Sequence, residues 1–168
     1  MAYVSLLQLA EIPGAKEMAQ VASDKAKRAI DAGLMELTLR GGDRSGFPAD
    51  QVEAADAAAA RITQAITEAD ALVDGYLGKR YALPLASPPQ ILVSWARAIV
   101  RYKLHTDRQS DERTDPIVRD YRDAMTLLGQ VAKGTFSLGI DDPTTGAGSA
   151  GDVLFDTGRK VFGREFLP

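Results

Sequence analysis

The chain reads as all-α: a four- to five-helix bundle with an extended C-terminal arm. Three observations predict this. Apolar residues recur every three or four positions through three long segments. Pro, Ser, Asp and Gly stand where helices begin and end. A stretch rich in Gly, Thr and Ser then separates the last helical segment from an aromatic tail. The 168 residues are 45% hydrophobic and 26% charged, enough for one domain with a real core. The division that follows is a helical domain over 1–140, a linker over 141–151 and a docking arm over 152–168.

Each element has its own signal. Ser5 and Gln8 form a capping box that starts a short helix, and Pro13 interrupts it after Ile12. Met18, Val21, Ala22, Ala26, Ala29 and Ile30 predict one helix continuing towards Gly33, which stands as its closing glycine. "LMELTLRGGDRSGFP" reads as a short extended piece followed by a loop. Asp50 and Glu53 open the longest helix, whose stripe is Ile62, Ile66, Ala69, Val73 and Tyr76. Its alanines, Ala57 to Ala60, favour helix and permit close approach of a neighbour. Ser87 and Pro88 are expected to start the next helix, with the stripe Leu92, Trp95, Ile99, Tyr102. Asp115 and Pro116 start the last, with Val118, Tyr121, Met125, Leu128 and Val131 on one face and Gly134 closing it. Between these two helices "TDRQSDERTD" is a charged, solvated loop, and after them "TFSLGI" alternates as a short strand does.

Composition excludes whole classes of chemistry. The chain has no cysteine, so disulfides, thiolate nucleophiles and Cys-based zinc sites are out, and a reducing compartment fits. Its single histidine, His105, falls at a helix C-terminus, where a cationic side chain suits the dipole. A net charge of −3 gives no broad attraction to nucleic acid or to an anionic membrane. No run reaches the roughly 18 apolar residues of a membrane span, and the first residues lack the pattern of a secretory signal. "GGDRSG" lacks the lysine and spacing of a phosphate loop and the ligand set of a calcium loop, so it reads as a turn. Asp70 and Asp74 stand one helical turn apart, as an acid/base pair would. Their places between stripe residues also suit a solvated face. No cofactor or metal is expected.

"VDGYLGKRYALPL", residues 73–85, is the most distinctive stretch. Gly78 offers a helix stop, and Lys79 and Arg80 put positive charge at the helix C-terminus. Tyr81, Leu83 and Leu85 alternate, so one face is expected to pack down, with Pro84 as stiffener. The reading is a rigid corner between two helices. In the arm, Phe155, Val161, Phe162, Phe166 and Leu167 are apolar residues beyond a linker, with Arg159, Lys160 and Arg164 among them. They fold back on their own bundle or dock on a partner.

Three blocks resemble the head–tail connector (adaptor) family of Mu-like tailed phages and prophages. The first is Asp74, Tyr76, Leu77, Arg80, Tyr81, Leu83, Pro84 and Leu85; the second is Arg101, Tyr102 and Leu104. The third runs from Tyr121 and Ala124 to Ala132, Lys133, Gly134, Leu138 and Gly139. The likeness covers about residues 51–140, and residues 14–33 form a longer helical segment than that family's pattern. The resemblance implies a structural protein of the virion neck, made in the host cytoplasm, with no catalysis. It implies a homo-oligomeric ring of twelve copies under the portal protein, with a tail-side stopper or terminator protein beneath and DNA only in passage. Arg80 and Tyr81 then join the arm residues as candidates for contact with a neighbour. Two other readings stand beside it: a phage head-completion or regulatory protein that forms no ring, and a small hydrolase working through Asp70 and Asp74.

Overall fold

The computed structural model describes residues 2–23, 29–105 and 114–140. Among these every regular element is a helix, with no strand. A single turn, α1 (Leu6–Leu9), leads through a wide π-type turn (Ala10–Gly14) into α2 (Ala15–Ala22). Then come α3 (Ala32–Arg40), α4 (Ala49–Leu77), α5 (Gln90–Leu104) and α6 (Pro116–Lys133). The fold is the all-α bundle expected, with five helices of eight residues or more among the described residues.

Local chemistry explains each boundary. The Ser5–Gln8 box forms in both directions, Ser5 Oγ accepting the Gln8 N–H and Gln8 Oε1 accepting the Ser5 N–H. The axis breaks at Ile12, whose φ of −141° and ψ of 117° are extended, as the residue before a proline prefers. Asp115 accepts the Ile117 N–H and Pro116 follows it at N1; Gly134 closes α6 in the left-handed region at φ 80°. All three follow the sequence reading.

Four boundaries differ from it. The helix begun at Ala15 stops at Ser23, which is extended, and Asp31 starts a new one by accepting the Gly33 and Leu34 N–H groups. Gly33 therefore lies in the first turn of α3 rather than at the end of α2. "LMELTLR" is helix, not an extended piece: Leu34, Met35 and Leu39 share its buried side, and Gly41, left-handed at φ 69°, closes it. α5 starts two residues later than expected, after Pro89 instead of Ser87. "TFSLGI" makes no strand, and no second strand stands among the described residues to pair with it; its Thr135 and Phe136 N–H groups turn back to the Gln130 carbonyl. The charged loop falls on residues 106–115, of which 106–113 lie outside the described residues, as do the linker and the arm.

The core runs along α4. Ile62, Ile66, Ala69 and Val73 are buried, together with Ala55, Ala58 and Ala65, which let α2, α3, α5 and α6 lie close against it. α5 contributes Leu92, Trp95, Ile99 and Val100, and α6 contributes Ala124, Leu128 and Val131. Trp95 is 6% exposed and packs at a tilt on Phe136, ring centroids 6.0 Å apart. Tyr102 departs from its expected place in that stripe. It is 37% exposed and stacks face to face on Tyr121 at 4.0 Å. At its 29 residues, α4 is about 43 Å long.

Candidate functional site: the Arg80–Tyr81 corner

The corner forms because the C-terminal end of α4 winds on tightly without a left-handed cap. Gly78 keeps right-handed angles, φ −60° and ψ −12°, so it is not the left-handed stop expected of it. The Arg80 and Tyr81 N–H groups then both return to the Leu77 carbonyl. This tight winding turns the Tyr81 ring into the core, where it is 4% exposed, and Leu85 follows it at 7%. Leu83, expected on the same face, is 37% exposed instead. The Leu83–Pro84 peptide is cis, as is Ile12–Pro13.

Both corner side chains reach the segment after α6. The Arg80 guanidinium donates to the Phe136 carbonyl at 3.4 Å and lies 5.7 Å from the Tyr81 ring centre. The Tyr81 hydroxyl accepts the Leu138 N–H at 3.3 Å. That bond is buried, so it satisfies a backbone donor that water does not reach. Gly134 lets Arg80 pass: a Cβ there would sit 3.3 Å from the guanidinium. Within this chain, the two residues proposed for contact with a neighbour clasp the exit of the bundle.

Other motif residues are also joined to one another or to the N-terminal segment. Tyr3 donates its N–H to Asp70 at 3.0 Å and its hydroxyl to Asp74 at 2.5 Å. Burial pushes the Asp70 carboxyl above the usual carboxylate range, against the lowering effect of the Tyr3 N–H. Burial, the bond to Asp74 and the nearby carboxylates raise the Tyr3 hydroxyl strongly. Farther along, Arg101 grips Glu17 with two bonds, from Nε at 2.5 Å and Nη2 at 2.8 Å. His105 caps α5 as expected, and its Nε2 lies 3.0 Å from Glu17 Oε1. Burial alone would raise the Glu17 carboxyl, but hydrogen bonds and charge from Arg101 and His105 hold it below its ordinary value.

The two acidic residues set out as an acid/base pair are thus acceptors for one tyrosine. The reading of "GGDRSG" as a turn holds: Asp43 accepts both the N–H and the hydroxyl of Ser45. Among the described residues no three carboxylate or imidazole groups converge to hold a metal ion. No helix among them is long and apolar enough to cross a membrane. Sequence reasoning missed Tyr3, Glu17 and Phe136. Only Glu17 left a trace, as an acid on the apolar face of a short helix. Phe155, Arg159, Lys160, Val161, Phe162, Arg164, Phe166 and Leu167 lie outside the described residues.

The fold and this site define an all-α bundle whose motif residues bind its own elements together. Comparison gives the lineage. The chain belongs to the Bacteriophage Mu Gp36 family, whose sequence profile matches residues 3–156. It is 33% identical over 105 residues to the Mu-like prophage FluMu protein gp36 of Haemophilus influenzae, covering 62% of this chain and 72% of that protein. It is 30% identical over 91 residues to Gene product J of Escherichia phage Mu, covering 54% of this chain and 62% of that protein. The resemblance to proteins of Mu-like phages therefore stands.

Proposed function

We propose that this chain is a structural protein of a Mu-like phage particle and acts as its head–tail connector. In this reading several copies form a ring under the portal protein at the virion neck. Tail-side proteins attach beneath, and DNA passes through. One observation carries the reading beyond family membership. The three connector-like blocks form a single joined unit: Arg80 and Tyr81 of the first hold Phe136 and Leu138 beside the third. Tyr102 of the second stacks on Tyr121 of the third. Such a unit is a stiff frame, as a ring subunit needs when its neighbours press on both sides. A heterologous contact between like frames closes into a ring when its rotation allows. The net charge of −3 also suits passage of DNA, which strong phosphate contacts would hold in place.

Electron microscopy and quantitative mass spectrometry of purified particles test the proposal. Several copies per particle, located at the neck as a ring, are expected. A chain absent from particles would overturn it. Replacing Asp70 and Asp74 together with Asn separates this reading from the hydrolase. An enzymatic activity that disappears while particles assemble normally supports the hydrolase; particle assembly that fails instead, with no activity lost, rules it out.

A further inference from the structure

Beside the start of α4 lies a cleft of about 580 Å³, between the residues that lead into α3 and the first turns of α4. Ile30, Phe47 and Ala54 supply apolar lining; Asp31, Asp50 and Glu53 supply carboxylates. Asp31 uses one oxygen to cap α3, through the Gly33 and Leu34 N–H groups. Arg44, on the loop nearby, is already paired with Asp56. The described lining therefore combines apolar side chains with three carboxylates.

We infer that this cleft receives the C-terminal segment around 159–166 of a neighbouring copy, a deeper reading that rests on the ring proposed above. The segment "RKVFGREF" has the matching chemistry: Phe162 and Phe166 for the apolar side chains, and Arg159, Lys160 and Arg164 for the carboxylates.

Chain length favours a neighbour over the chain's own cleft. The described chain ends at Ile140, two residues after the Leu138 N–H that Tyr81 accepts just beyond the far end of α4. From Leu77 back to Gln51 along the helix is about 39 Å. The 22 residues from Ile140 to Phe162 include a Gly- and Thr-rich stretch, and a chain of that composition has a root-mean-square span of about 26 Å. Fully stretched it reaches about 73 Å. Reaching its own cleft would hold the chain well beyond its relaxed span, whereas a copy packed alongside can bring its cleft to the exit point. The described chain leaves the bundle beyond one end of α4 and the cleft stands at the other, so a copy can give its arm to one neighbour and take that of another, a contact that closes a ring when its rotation allows.

The absence of native cysteine makes the test clean. Two full-length variants, Gln51→Cys and Gly163→Cys, are purified, checked for unchanged helical circular dichroism, mixed and oxidised. A mixed disulfide between chains is expected. Adding Asp50→Lys and Glu53→Lys to the first variant lowers its yield about tenfold, the change for about 1.4 kcal/mol, which two or three exposed ion pairs supply. Adding Arg159→Glu, Lys160→Glu and Arg164→Glu to the second restores it. Lys25, Lys27 and Arg28 precede the cleft in sequence, so this reversal and rescue test the charge match directly. No mixed disulfide, or a yield indifferent to charge reversal, would each overturn the inference. If the ring at the neck persists in any of those cases, the connector reading survives without it. If the disulfide forms as expected but particles lack the chain, the connector reading fails and the docking stands.

Discussion

The N-terminal segment is fastened at two places by opposite chemistry. At Tyr3 a neutral donor meets two carboxylates, and burial raises Asp70. At Glu17 one carboxylate meets Arg101 and His105, and despite burial its titration is pulled down. The first fastening ties the chain start to α4; the second ties α2 to α5. Both are half-buried and similar in bond count, so burial alone does not separate them. What differs is the hydrogen-bonding partner: a bidentate arginine at Glu17, the backbone N–H of Tyr3 at Asp70. A partly buried carboxylate with a bidentate arginine keeps its charge readily; Asp70, desolvated and held by one N–H, keeps it less readily.

Removing the Tyr3 side chain is the largest disturbance. Tyr3→Ala deletes a side chain that is 5% exposed and its bond to Asp74, so chemical denaturation should show a loss of about 3 kcal/mol. A loss below about 1 kcal/mol would mean that the first fastening is superficial.

Glu17→Gln should come next, at about 1–2 kcal/mol near pH 7, discounted because the ion pair is partly solvated. Its pH dependence has a definite sign. The folded-state value lies below the ordinary 4.5, so the contribution is present above that pH and is lost as pH falls through the folded value. Wild type and Glu17→Gln should therefore converge in acid.

Tyr3→Phe keeps the ring and removes only the hydroxyl, at about 1 kcal/mol. Smallest of all is Asp70→Asn, which still offers an oxygen to the Tyr3 N–H. Because Asp70 titrates above its ordinary 3.8 when folded, its contribution is full below that pH and declines as pH rises through the folded value. At pH 8 the variant should match or exceed wild type by roughly 0.5 kcal/mol. A clear destabilisation there would erase the contrast between the two fastenings.

Most of the bundle was legible because its long helices carry repeated signals. α4 and α6 show their stripes for several turns, and the Asp115–Pro116 and Gly134 boundaries are short-range chemistry. The errors fall where the signal is short. "LMELTLR" is too brief for period two and period 3.6 to separate, and its capping Asp31 was absorbed into a run counted as one helix. The corner was legible as a corner, since Tyr81 and Pro84 mark it. Its partners were not, because Tyr81 and Leu138 are 57 residues apart and nothing local links a hydroxyl to a distant N–H. Tyr3 with Asp74, 71 residues apart, is hidden for the same reason.

The clasp on Leu138 also sets a rule for anyone editing this gene. One added residue between Lys133 and Leu138 slides the backbone by about 3.3 Å, more than a hydrogen bond tolerates. The Leu138 N–H would leave the Tyr81 hydroxyl, and Phe136 would slip from the face of Trp95. An insertion past Ile140 keeps these bonds in register and changes only the length of the arm proposed to dock.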